Sequence, residues 1–175
     1  MIKFTISQSE LLFKSDIEAK SKGIENYLKS LKELIQMAEQ SNNGILLDEA
    51  YEMFHSHAVS GMKYVTDLEN SNVFITGACT KGLQCPGIRV GWVIASKKNI
   101  ETMANYSSFG MGGVSHPSQL YAVKLFEPKR IEKAREAVEK HYDWQRKRYG
   151  EAFEKMGLKV YTGNGGFYHL SLIHI

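Results

Sequence analysis

GILLDEAYE, residues 44–52, is the stretch on which the fold turns. Asn42-Asn43-Gly44 is a strong stop and turn signal. Gly44-Ile45-Leu46-Leu47 then reads as a short strand buried on both faces, as in a parallel sheet between helices. The run ends in Asp48-Glu49-Ala50-Tyr51. Upstream of the turn, Ile24, Tyr27, Leu28, Leu31, Leu34, Ile35 and Ala38 recur every three or four residues and share one helical face. A helix followed by such a strand is half of a βαβ unit, which points to the α/β class.

Downstream, Val73-Phe74-Ile75-Thr76 reads as the next strand and Val90 to Ala95 as another. Only about a dozen residues separate them, fewer than a helical crossover normally uses. Gly82, Pro86 and Gly87 also argue against a helix there. The two strands are therefore expected to be antiparallel neighbours joined by an elaborate loop, and Lys81 sits in that loop. Asn99 to Tyr106 reads as a short helix. Ser115 resembles an N-cap with Pro117 in the first turn, opening a helix through Leu120, Val123 and Phe126 to a stop near Pro128. Residues 130–156 carry a long helical pattern in Ile131, Ala134, Val138, Tyr142, Tyr149, Phe153 and Met156. Gly157 is placed to cap it. Leu158 to Tyr161 suggests a strand and Asn164-Gly165-Gly166 a turn. Residues 1–23 have scattered apolar positions and no readable pattern.

The 175 residues suffice for one domain and part of another, and a 43% hydrophobic, 23% charged composition is that of an ordinary globular protein. A net charge of +3 is too small to imply nucleic acid. No stretch approaches the roughly 20 apolar residues of a membrane span. The opening MIKFTISQSELLFK lacks the apolar core of a secretory leader. Cys79 and Cys85 form neither a CxxC pair nor a disulfide framework. Together these favour a cytoplasmic setting with no nucleic-acid and no membrane partner.

Three pieces of chemistry stand at expected strand ends. Asp48 and Tyr51 follow the first strand, Lys81 follows the second, and Arg89 opens the third, eight positions after Lys81. Ligands of open α/β sheets bind at the carboxyl ends of strands. An acid, a phenol, an amine and a guanidinium gathered there could serve a cofactor that is both cationic and phosphorylated.

GILLDEAYE (44–52) followed by TKGLQCPGIRVGW (80–92) resembles the fold-type I pyridoxal-phosphate enzymes, specifically the class I/II aminotransferases. The resemblance rests on Asp48, Tyr51, Lys81, Pro86, Gly87, Arg89 and Gly91 in this order and spacing, and GNGGFY (163–168) resembles a segment that opens the family's small domain. It implies pyridoxal 5'-phosphate as cofactor and no metal. Lys81 would bind the cofactor as a Schiff base and later move the proton at the substrate α-carbon. Asp48 would hold the pyridine nitrogen protonated. Tyr51 would donate a hydrogen bond to the cofactor's phenolic oxygen. Arg89 would pair with the phosphate, and Thr80 could add a phosphate contact. Ala78 departs from the family, which often has a hydroxyl there. Lys20-Ser21-Lys22-Gly23 stands where an Asn-Pro-Thr-Gly-like segment would bring a cofactor-binding asparagine. The family's phosphate turn, stacking aromatic and carboxylate-gripping arginine have no place in this chain.

The implied architecture is part of a three-layer α/β/α large domain with a mostly parallel sheet, residues 1–140, followed by the start of a small α+β domain, residues 141–175. The implied activity is transamination between an amino acid and a 2-oxo acid, by a homodimer in full-length form. Other chemistries of the scaffold (C–S lyase, decarboxylase, racemase) and a catalytically silent module are the alternatives. The last six residues, Leu170 to Ile175, match a translated transposon-end sequencing adapter, so the chain is expected to be a truncated fragment, inactive alone.

Each singled-out residue also has a plainer reading. Lys81 could be a solvated loop lysine, Asp48 a helix cap, Tyr51 a core tyrosine and Arg89 a strand-end charge. Gly110-Met111-Gly112-Gly113 follows no strand and lacks the GxGxxG spacing of a nucleotide loop. His55 and His57 stand two apart, with no HExxH motif and no cysteine pair nearby in the sequence to suggest a metal site. The run from His141 to Tyr149 mixes bases with aromatics, but a helix with aromatics inward and charges outward explains it better than nucleic-acid binding.

Overall fold

The computed structural model describes residues 4–7, 20–41, 43–55, 58–161, 163 and 165–171. Its main sheet has four strands in the order β1 (Phe4–Ser7), β2 (Ile45–Asp48), β3 (Val73–Ala78) and β4 (Gly91–Ile94). β1, β2 and β3 run parallel, with Phe4 opposite Ile45 and Ile45 opposite Val73. β4 is antiparallel to β3, pairing Ala78 with Gly91 and Thr76 with Val93. The expected turnabout between β3 and β4 is therefore present. β1 is an element that the sequence pattern did not reveal.

Helix α1 (Lys20–Gln40) joins β1 to β2 and completes the βαβ unit. It starts four residues before the apolar periodicity does. The side chains of Ile24 and Tyr27 lie outside the described residues. Leu31, Ile35 and Ala38 are buried, with Leu28 and Leu34 packed beside them. They rest on Ile45 and Leu47 of β2 and Val73 and Ile75 of β3, the alternate residues that point to one face of a pleated sheet. Leu46, Phe74 and Thr76 on the other face are half-buried. The expectation that β2 is buried on both faces is thus met on the α1 side and only partly on the other.

Three helices follow: α2 (Lys97–Gly110), α3 (His116–Leu125) and α4 (Pro128–Lys155). Ser96 and Ser115 cap α2 and α3, each hydroxyl accepting from the backbone N–H three residues on. α2 is longer than the Asn99–Tyr106 pattern. In α3 the inward residues are Ala122 and Leu125, while Leu120 and Val123 face outward, which reverses the expected face. α4 runs unbroken through residue 140 and ends at Gly157, whose φ is +78°. It also departs from its expected stripe. Trp144 and Tyr149 are exposed, and Arg146, expected on the solvated face, is only 4% exposed. The stripe drifts because the buried line passes through Val138, Tyr142, Arg146 and Gly150, each four residues apart. β5 (Val160–Tyr161) and β6 (Leu170–Ser171) form a small antiparallel hairpin. No described helix is long and apolar enough to cross a membrane.

Candidate functional site

β2 carries Asp48 to its carboxyl end, beside the carboxyl end of β3. The Asp48 Oδ1 accepts from the Ala50 N–H at 3.0 Å, a local turn bond typical of aspartate. The plainer capping role is thus real for one oxygen. Among the described residues the ion pairs are Lys29–Glu33, Arg146–Asp143 and Lys147–Asp143, so Asp48 has no cation paired to it there. Its charge is available to a ligand. Glu49, next in sequence, is turned the other way: it is buried, and its Oε1 accepts from the Gly61 N–H at 2.6 Å. Burial pushes its carboxyl above the usual range, against the pull of the Gly61 N–H and the Ser60 hydroxyl.

Tyr51 follows in a turn and is half-buried in an aromatic cluster. Its ring lies 5.3 Å from Phe54, 5.6 Å from Phe167 and 5.8 Å from Tyr168, centroid to centroid. Its hydroxyl is 2.9 Å from that of Tyr168. Burial pushes the Tyr51 phenol up, and the Tyr168 hydroxyl and then the Asp48 carboxylate push the same way. Tyr51 is therefore a protonated donor across the neutral range.

Lys81 stands in the loop after β3. The loop is closed on itself: Cys79 N–H donates to the Val90 carbonyl at 3.1 Å, and Cys85 N–H to the Cys79 carbonyl at 3.1 Å. A glycine is required at Gly82, because a Cβ there would lie 2.6 Å from the Met53 Sδ. That close approach seats the loop on the turn that carries Tyr51. Lys81 is half-buried, with its Nζ 5.2 Å from the Phe167 ring centroid and 5.9 Å from that of Tyr51. A cation near aromatic faces is weakly attracted to them.

Thr80 is half-buried beside Lys81. Arg89 closes the loop in a left-handed conformation (φ 54°), exposed, with Nη1 donating to the Pro86 carbonyl at 2.8 Å. Its guanidinium has further N–H donors for an anion. The structure thus brings Asp48, Tyr51 and Lys81 to one end of the sheet. Arg89 stands at the far end of the same loop, folded back on it. Among the described residues no group of three or more His, Cys, Asp or Glu could hold a metal ion, and His57 lies outside them.

Four residues of the neighbourhood were given no part in the site by the sequence reading. Phe167 and Tyr168 arrive from the segment after Gly165-Gly166. Tyr142 packs 4.8 Å from Phe54, and its hydroxyl donates to the Gln84 Oε1 at 3.2 Å. Arg146 holds the Gly166 carbonyl at 2.8 Å. The available signal was an aromatic pair directly after two glycines, and an arginine one turn beyond an inward tyrosine.

The donor set suits a ligand that is cationic at one end and phosphorylated at the other. Asp48 is an acid with no cation paired to it among the described residues, Tyr51 a protonated phenol and Lys81 an amine among aromatic faces, and Thr80 and Arg89 carry donors that could meet an anion. A family model described as aminotransferase class I and II matches residues 23–174. Over 138 residues the chain is 27% identical to an aspartate aminotransferase of Pyrococcus horikoshii, a match covering 78% of this chain and 35% of that protein. Among solved structures it is similar to a double mutant of Thermus thermophilus aspartate aminotransferase, with TM-score 0.72 and 20% identity over 82% of this chain and 37% of the other. It is also similar to the aromatic aminotransferase of Pyrococcus horikoshii OT3, with TM-score 0.75 and 22% identity over 97% of this chain and 43% of the other. At these identities the structural likeness is one of fold: a partial α/β domain with a mixed sheet, as in fold-type I aminotransferases. The chain spans between 35% and 43% of the length of these relatives. The match to the family model takes in most of the chain, including every residue of the candidate site, and the chain belongs to the class I and II aminotransferase family.

Proposed function

We propose that the protein of which this chain forms at least part is a pyridoxal-phosphate-dependent aminotransferase, moving an amino group between an amino acid and a 2-oxo acid. The observation that carries this reading is the convergence at the end of adjacent parallel strands: Asp48 and Tyr51 after β2, Lys81 after β3, with the Lys81 Nζ 5.9 Å from the Tyr51 ring.

When bound, the cofactor supplies an electron-accepting ring that stabilises negative charge at the substrate α-carbon. Lys81 would hold it through Nζ, and the same amine would be the base placed to move a proton at the substrate α-carbon. The Asp48 carboxylate would hold a proton on the ring nitrogen, since a neighbouring negative charge favours the cationic form. The Tyr51 hydroxyl would orient the ring by donating to its oxygen. Thr80 and Arg89 would bind the phosphate, the latter by the planar fork of its guanidinium. The Tyr51 and Phe167 rings flank the Lys81 Nζ, at 5.9 and 5.2 Å from their centroids. The homodimer that the family resemblance implies belongs to the same reading. It is supported by the apolar side chains exposed along and after α2, with Tyr106 76%, Phe109 93% and Met111 87% exposed.

The test is borohydride reduction of the full-length protein followed by peptide mapping. The cofactor should be fixed on Lys81, and the unreduced protein should convert an amino acid when given a 2-oxo acid. A label on Lys97 or Lys98 would overturn the site. A labelled Lys81 with no turnover of any amino acid would make the protein a silent relative.

A further inference from the structure

We infer that Tyr168 is a positioning residue for Tyr51, its hydroxyl donating to the Tyr51 oxygen so that the Tyr51 proton is aimed at the cofactor's ring oxygen. This rests on the cofactor reading given above and extends it to a residue to which that reading assigns no task.

The two hydroxyl oxygens are 2.9 Å apart, and the contact spans 117 positions of sequence. A tyrosine hydroxyl has one proton and two acceptor sites. If the Tyr51 proton points into the site, its oxygen can accept, and Tyr168 is the donor within reach. A hydroxyl that accepts one hydrogen bond donates the next one more strongly. Burial keeps Tyr51 protonated, so it is the member of the pair suited to face an anionic oxygen; while its proton points at Tyr168 that contact raises the phenol further, and when the proton turns to the anionic oxygen Tyr168 changes from acceptor to donor.

The approach of Tyr168 is built rather than incidental. Gly166 adopts φ +71°, and a Cβ on it would point to within 3.8 Å of the Tyr51 Cδ1. The Gly166 carbonyl accepts from the buried Arg146 Nη1 at 2.8 Å. Arg146 is held in turn by Asp143, Nη2 to Oδ1 at 3.1 Å, and Asp143 also pairs with Lys147 at 3.0 Å. Phe167 packs against both, with its ring centroid 4.6 Å from that of Tyr168 and 5.6 Å from that of Tyr51. A buried guanidinium and a cluster of tilted rings thus fix the segment whose next residue meets Tyr51.

The experiment is a pH titration of the visible absorbance of the bound cofactor in the full-length holoenzyme. A stronger Tyr51 donor stabilises the anionic cofactor oxygen and lowers the midpoint. Tyr168→Phe should raise it by roughly 0.3–1 pH unit, the range that the net worth of one hydrogen bond converts to. Tyr168→Leu, a second non-donor, should move it the same way. Tyr51→Phe should raise it further, and adding Tyr168→Phe to Tyr51→Phe should then change nothing, because the relay has lost its middle member. A purely structural role would lower the melting temperature and leave the midpoint in place. An unmoved midpoint in both Tyr168 variants, or an equal shift with Tyr51 already replaced, overturns the inference and leaves the cofactor reading standing. A wild-type protein with no titrating visible band overturns both.

Discussion

Replacing Asp48 with asparagine isolates the charge of this residue from its structural work. The Asp48 Oδ1 accepts from the Ala50 N–H at 3.0 Å, and an asparagine oxygen can accept the same bond. The turn and the register of β2 against β3 should therefore survive. What is removed is a half-buried negative charge that no described cation neutralises. Two opposite unit charges about 4 Å apart, in the effective dielectric of about 20 found near protein surfaces, attract by ~4 kcal/mol. Loss of a preorganised charge contact of this kind costs about 3–4 kcal/mol in a barrier, or about a hundred- to thousandfold in rate. Asp48→Asn in the full-length holoenzyme should thus still take up the cofactor through Lys81 and show a visible band. The single-turnover rate with an amino acid should fall by that factor. Since Asp48 also helps to push the Tyr51 phenol up, the variant should ease Tyr51 downward as well. Undiminished kcat would refute the assignment and leave Asp48 with its turn bond as its only task.

Three further outcomes concern the scaffold. Gly77→Ala should destabilise the protein by about 1–3 kcal/mol in urea unfolding, as overpacking does, because the added methyl would lie 2.4 Å from the Trp92 Cζ2. Trp92→Leu should suppress that loss, and an unchanged midpoint in the single variant would contradict the packing. Arg146→Met should cost about 1.5–3 kcal/mol, the worth of a charged hydrogen bond, by leaving the Gly166 carbonyl without its donor; wild-type stability would show that water replaces the guanidinium. The Glu49 carboxyl is raised above its ordinary 4.5 by burial, so the stability it contributes is present below that value and lost as pH rises through the raised one. Glu49→Gln should therefore gain on wild type as urea melts move from about pH 4 to pH 7, whereas curves that stay parallel would deny the shift.

The sheet was legible where side chains alternate or run apolar between turns. β2, β3 and the reversal into β4 could be read because Gly82, Pro86 and Gly87 exclude a crossover helix. β1 could not, since four residues amid polar sequence give no period, and their place depends on pairing with Ile45 to Asp48. The helix faces were less legible. In α4 an apolar count favoured Tyr149, but the burial line runs through Arg146 because a distant carbonyl needs its donor. Asp48, Tyr51 and Lys81 could be found because their chemistry is ordered along the chain. Phe167, Tyr168 and Tyr142 reach the same place through long-range packing, for which spacing gives no sign.

α4 acts as a ruler as well as a support. Its 28 residues span ~42 Å. Along one stripe it touches two separate parts of the site: Tyr142 meets Gln84 of the Lys81 loop, and Arg146, one turn on, holds the segment that ends in Tyr168. The distance between those two grips is set by helix pitch alone. Inserting one residue between them would turn everything beyond by about 100° and advance it by ~1.5 Å. Arg146 would then swing off the Gly166 carbonyl while Tyr142 kept its place. Point substitutions on the outer face of α4 should thus be far better tolerated than any change of length between residues 142 and 146.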